Sequence, residues 1–164
     1  MSLLASENSH ARAHAEGTLV RLSIEMENRT IIIEKLVGML RNKDTTGQEQ
    51  AAAALANLSR ESEDNRSAIV GAGGIPPILG LLDSESGKAR ENAVGAITEL
   101  CRGSKDNQIA IAQVGGIKKL VSVLLSNPAQ TTKDPELIRL CTLAASAIKE
   151  MSKGNSENQD AIAE

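Results

Sequence analysis

The phrase Asp64-Asn65-Arg66-Ser67-Ala68-Ile69-Val70-Gly71-Ala72-Gly73-Gly74-Ile75 returns as Asp106-Asn107-Gln108-Ile109-Ala110-Ile111-Ala112-Gln113-Val114-Gly115-Gly116-Ile117, which places Asn65 and Asn107 42 residues apart. Self-similarity at a period of roughly 40 residues marks a solenoid. Each unit is too small to bury its own apolar face and stacks on the next copy. Binding over an extended surface is therefore the expected work of such a chain, rather than catalysis in a pocket.

Punctuation divides the best-formed unit into three amphipathic segments. A short helix runs from about Asp64 to Gly71 and ends at Gly71-Ala72-Gly73-Gly74, because glycines supply the positive φ that terminates helices. A second, from about Ile75 to Asp83, tolerates Pro76-Pro77 only in its first turn and carries Ile78, Leu79, Leu81 and Leu82. The loop Ser84-Glu85-Ser86-Gly87 precedes a third helix over Lys88 to Arg102, where Ala89, Ala93, Ala96, Ile97 and Leu100 recur at spacings of three and four. With no Phe, Trp or Tyr in 164 residues, the core must be built from Leu, Ile, Val, Ala and Met on closely approaching helices.

A short helix, a Gly-Gly corner and two longer antiparallel helices resemble the armadillo repeat family. The resemblance rests on Asn65 to Ile75, Pro77 to Leu82 and Ala93 to Leu100, with their counterparts Asn107 to Ile117, Lys119 to Leu124 and Ala144 to Met151. HEAT repeats, the nearest rival, lack the Gly-Gly corner. The implied fold is an all-α, right-handed solenoid of about three full repeats with partial repeats at both ends. The third helix aligns as Ala11 to Leu22, Gly47 to Leu58, Ala89 to Leu100 and Leu140 to Met151. The units are then 1–25 (mainly a third helix), 26–61, 62–104, 105–154 and 155–164, the start of another repeat. Ends that cut through repeats suggest a fragment of a longer array, and uncapped termini would favour end-to-end self-association.

Two irregularities interrupt the register. Ile31-Ile32-Ile33 passes directly into Glu34-Lys35-Leu36-Val37 with no Gly-Gly corner, so either the first two helices fuse there or residues are missing between Ile33 and Glu34. The repeat 105–154 is longer by nine residues, which fall in Asn127 to Pro135 and read as an exposed loop with Thr131 and Thr132 as candidate phosphorylation or contact sites.

In the armadillo family, as the resemblance implies, successive third helices line a concave groove that holds an extended peptide, gripped by a Trp and, four residues on, an Asn. The Trp positions here hold Gly17, Ala53, Gly95 and Ser146, and the Asn positions hold Arg21, Asn57, Glu99 and Glu150. Only Asn57 matches, which disfavours an importin-alpha-like, nuclear-import cargo adaptor. One turn earlier stand Ala13, Glu49, Glu91 and Thr142, so the stripe collects Glu49, Glu91, Glu99 and Glu150 against Arg21. A basic or hydroxyl-rich segment of another protein is the expected occupant. The alternatives are the import adaptor and a structural or self-associating segment with no groove ligand.

Other chemistries find little support. His10 and His14 at i, i+4 with Glu7 could hold zinc, yet the aligned positions Thr46, Gln50, Lys88 and Asn92 are simply polar, so no metal or other cofactor is expected. Gly71 to Gly74 follows no strand and lacks the Gly-Lys-Ser/Thr ending of a phosphate loop. No serine or cysteine nucleophile is placed against a histidine, so no catalytic residues are assigned and the chain is not expected to be an enzyme. A net charge of −3 without aromatic stacking platforms argues against nucleic acid. No apolar run or leader suggests a membrane, and Cys101 and Cys141 within apolar helical patterns read as free thiols. A cytoplasmic or nuclear setting follows from that thiol chemistry. The sequons at Asn28, Asn57 and Asn65 would then be incidental.

Overall fold

The computed structural model describes residue 18 and residues 26–42, 44–125 and 134–163. Among the described residues from 26 onward there are nine α-helices and no strand: α1 Met26–Leu40, α2 Thr45–Glu61, α3 Glu63–Gly71, α4 Ile75–Gly80, α5 Gly87–Cys101, α6 Lys105–Gln113, α7 Gly116–Leu125, α8 Pro135–Ser152 and α9 Ser156–Ala163. The 3₁₀ turn Leu81–Asp83 tightens the end of α4, where Ser84 N–H donates to the Leu81 carbonyl at 3.1 Å. The expected unit of short, second and third helix is therefore α3, α4, α5 and again α6, α7, α8. Residue 18, within the expected first third helix, is helical.

Where the corner is missing, the chain forms one continuous helix, α1. Without a Gly-Gly corner to break it, Ile33, Leu36, Val37 and Leu40 follow a single apolar stripe into the core. The other departure is at 127–135. Residues 126–133 lie outside the described residues, so Thr131 and Thr132 do too, but Pro135 is not loop. Asp134 caps α8, accepting from Glu136 N–H at 3.0 Å, and Pro135 occupies the first turn, where its missing N–H costs nothing. The third helix of this repeat thus begins about a turn before Leu140.

Each corner uses its two glycines differently. Gly73 and Gly115 adopt φ of +70° and +84°, the left-handed conformation that reverses the chain after α3 and α6. The glycine that follows is there for space. A Cβ on Gly74 would lie 2.8 Å from both the Ile69 carbonyl oxygen and Ile69 Cγ2, and one on Gly116 would collide with the corresponding atoms of Ile111. Backbone therefore packs on backbone, and α6 meets α7 at a 73° bend.

The repeating asparagine is the joint between units. Asn65 Nδ2 donates to the Leu58 carbonyl at 2.9 Å, Asn107 Nδ2 to Leu100 at 2.9 Å and Asn158 Nδ2 to Met151 at 2.8 Å. All three are buried. The helix that each asparagine opens is capped in turn: Ser62 accepts from Asn65 N–H, Ser104 from Asn107 N–H and Asn155 from Asn158 N–H. One residue thus satisfies an orphan carbonyl of the third helix behind it and an orphan N–H of the helix it begins. The next residue adds a second bond of the same reach, Arg66 to Ser59, Gln108 to Cys101 and Gln159 to Ser152.

Alanines let the third helices approach. Ala51, Ala52 and Ala54 of α2, Ala93 and Ala96 of α5, and Ala144 and Ala147 of α8 are fully buried, between larger plugs such as Leu55, Leu58, Ile97, Leu100 and Met151. The most extensive helix contacts are α2 with α5 and α5 with α8.

Asn107→Ala should lower stability in a urea titration by about 1–3 kcal/mol, the usual cost of an unsatisfied buried carbonyl. Gly116→Ala should also destabilise, whereas Gly80→Ala, whose Cβ would enter open space on αR backbone, should be neutral or stabilise by up to about 1 kcal/mol. Equal effects at the two glycines would contradict the role given to the corner.

Candidate functional site: the third-helix face

Helices α2, α5 and α8 lie side by side. On α2 the positions that escape burial include Thr46, Glu49, Gln50, Ala53, Asn57 and Arg60, at helical spacings of three and four. On α5 the expected positions Glu91, Gly95 and Glu99, and on α8 Thr142, Ser146 and Glu150, recur at every fourth residue, and of these six Glu99 is buried. Arg21 lies outside the described residues, as do Gly17, Ala13, His10, His14 and Glu7. No metal-binding cluster of His, Cys, Asp or Glu occurs among the described residues, and no single helix among them is long and apolar enough to cross a membrane.

Three of the four carboxylates of the stripe, Glu49, Glu91 and Glu99, are already engaged. Glu99, with its side chain only 8% exposed, is held by Arg60 Nε of the preceding repeat at 3.4 Å and by Arg102 Nε at 2.9 Å. Glu91 pairs with Arg139 of the following repeat at 3.4 Å. The Glu49 carboxylate accepts from Ser86 Oγ, and its backbone carbonyl accepts from Asn92 Nδ2 at 3.0 Å. Glu150 is half-buried; its backbone carbonyl accepts from Gln108 Nε2 at 2.8 Å. Asn57 Oδ1 accepts from Arg60 at 3.2 Å, and Thr142 Oγ1 donates to the Ile138 carbonyl at 2.8 Å.

Between these polar groups the face is low. Ala53 and Gly95 are half-buried and Ser146 is exposed, so no side chain stands up where a Trp would wall a pocket. A Cβ on Gly95 would only touch Ala56 Cβ at 4.0 Å, so tight packing does not demand glycine there. At the N-terminal ends of α5 and α8 a cleft of about 460 Å³ opens, lined in part by Lys88, Glu91, Asn92, Glu136 and Arg139.

Sequence reasoning found the carboxylates and missed their partners. Arg60 and Arg102 were legible in principle, since each follows its Asn57 or Glu99 position by three residues and the two are 42 apart. Ser86 and Arg139 reach across repeats, and only the stacked structure brings them to Glu49 and Glu91.

Cys101 is fully buried, and its thiol is pushed up to about 12, first by burial and then by the Glu150 charge. Because the folded state holds this proton more tightly, its contribution to stability is complete below the ordinary thiol value of 9.0 and is lost as pH rises from there toward 12. A thiol reagent at pH 8 should leave Cys101 unmodified until the protein is unfolded; rapid native-state labelling would contradict the burial.

Removing Glu99 and removing its partners should have unequal effects. Glu99→Leu should change stability by less than about 1 kcal/mol, since both arginines are solvated, whereas Arg60→Ala with Arg102→Ala should cost about 3 kcal/mol by stranding a buried carboxylate. Urea denaturation of the two variants checks this, and equal costs would rule it out.

The sequence profile of the armadillo/beta-catenin-like repeat matches residues 29–60 and 62–102. A comparison with curated protein sequences found no match. Among solved structures, the chain is similar to an engineered protein at 28% identity and TM-score 0.78, with 99% of this chain covering 64% of that one. It is also similar to computationally designed armadillo repeat proteins for modular peptide recognition, at 22% identity and TM-score 0.71, covering 98% of this chain and 66% of that one. A designed armadillo repeat protein solved in complex with the peptide (KR)4 matches at 22% identity and TM-score 0.77, with the same coverage of 98% and 66%. The chain spans about two thirds of the length of these proteins. With its Gly-Gly corners, three-helix units and side-by-side third helices, the chain has the α-solenoid fold of the armadillo repeat proteins that it resembles.

Proposed function

We propose that the chain is a non-catalytic interaction scaffold that holds an extended segment of another protein along the face formed by α2, α5 and α8. The observation that carries this reading is the row of small residues Ala53, Gly95 and Ser146 at one position of three successive third helices. It leaves a continuous, low strip flanked by polar side chains. An extended backbone can lie there against fixed hydrogen-bonding groups, with little ordering cost to the scaffold. The peptide complexes of designed armadillo proteins support the same use of the fold. Without a Trp ladder, the grip would come from the polar flanks, which disfavours a nuclear-import cargo role. The thiols suit a cytoplasmic or nuclear protein.

Peptides selected from a random display library against the chain provide the test. Ala53→Arg with Gly95→Arg should weaken the selected peptides at least tenfold, and Lys118→Ala, an exposed site on α7, should leave them unchanged. Undiminished binding by the arginine variant would overturn the reading.

A further inference from the structure

Cations and carboxylates on the third-helix face differ in depth. Glu49, Glu91 and Glu150 are half-buried and Glu99 is buried, whereas Arg60, Arg102, Arg139 and Lys153 are all exposed. Within the pairs the contrast is quantitative: the side chains of Glu99 and Glu91 are 8% and 18% exposed, against 62%, 59% and 71% for Arg60, Arg102 and Arg139. An approaching chain meets exposed cations above more deeply set carboxylates, of which Glu99 and Glu91 are already paired with arginine. Counting charges along the sequence favours a basic occupant, but depth reverses that preference, because an incoming lysine would have to displace an arginine to reach Glu99. An incoming carboxylate needs only to add to a guanidinium whose other N–H groups remain in solvent.

Position supplies a second constraint. Arg60, Arg102 and Lys153 are equivalent residues of successive repeats, each following its Asn57, Glu99 or Glu150 position by three. Packed helices lie about 8–10 Å apart. An extended chain advances about 3.3 Å per residue, so it passes one cation roughly every third residue. The other end of the face, at the cleft bearing Lys88 and Arg139, also exposes Glu136 and is electrostatically mixed.

Resting on the groove reading above, we infer that this face selects an acidic extended segment of a partner protein, with carboxylates at about every third residue set against Arg60, Arg102 and Lys153. Glu99 acts as a buried positioning residue that holds the first two cations in register across the repeat boundary.

Fluorescence anisotropy with labelled peptides (Glu-Ser-Ser)4 and (Lys-Ser-Ser)4 tests it. The acidic peptide should bind at least tenfold more tightly, and a (Glu-Glu-Ser-Ser-Ser-Ser)2 peptide of the same composition should bind more weakly than the evenly spaced one. Because removing both arginines alone would strand Glu99, the variant used is R60Q/R102Q/E99Q, with its fold checked by circular dichroism. It should lose at least tenfold in affinity for the acidic peptide. Tighter binding of the lysine peptide, or an unchanged affinity of the triple variant, would overturn the charge rule. If neither charged peptide binds while library-selected peptides still bind and are blocked by Ala53→Arg with Gly95→Arg, the charge rule fails and the groove reading survives. If no extended peptide binds at all, both fail.

Discussion

A carbonyl near the end of each third helix must find a donor, and in this chain the donor is the asparagine that opens the next repeat. Asn65, Asn107 and Asn158 each reach back seven residues to that carbonyl while their own N–H groups are capped by Ser62, Ser104 and Asn155. The direction in which the chain leaves one repeat is thereby tied to the direction in which it enters the next. Everything downstream, including the close approach of α2, α5 and α8, depends on that repeated geometry. Gln108 extends the same joint, donating onward to the Glu150 and Lys153 carbonyls at the end of α8, the third helix of its own unit.

Once the third helices are fixed in register, their alanines set the spacing and their polar positions meet across repeats. Arg60 reaches Glu99, Arg139 reaches Glu91 and Ser86 reaches Glu49, so each boundary on this face carries its own polar tie. These ties are modest in energy where one partner is solvated. Their larger consequence is orientation, because they bury or half-bury the carboxylates and leave the guanidinium groups outward. The same contacts that join the repeats thus decide what charge the face presents.

Much of this was legible in the sequence, for reasons that can be stated. The Gly-Gly corner is visible because positive φ at Gly73 and Gly115, and contact with backbone at Gly74 and Gly116, both exclude side chains. The fusion of two helices in α1 was one of two readings left open by the absent corner. The start of α8 was misplaced because Pro135 reads as loop when the capping carboxylate of Asp134 is overlooked. The stripe could be drawn from helical spacing alone, with Glu49, Ala53 and Asn57, then Glu91, Gly95 and Glu99, then Thr142, Ser146 and Glu150 at every fourth residue of α2, α5 and α8. Depth could not be drawn that way. Whether Glu99 or Arg60 meets solvent depends on the distance between two helices 39 residues apart in the chain, and no local pattern encodes it.

The central claim is that ligand lies across the third helices rather than on the outer helices or the ends of the solenoid. At 17.2 kDa the chain is suited to nuclear magnetic resonance titration with a bound peptide. Amide shift changes should concentrate along α2, α5 and α8, centred on Ala53, Gly95 and Ser146, with little change in α1, α4 and α7. Changes centred on α4 and α7, or confined to α9, would contradict the account.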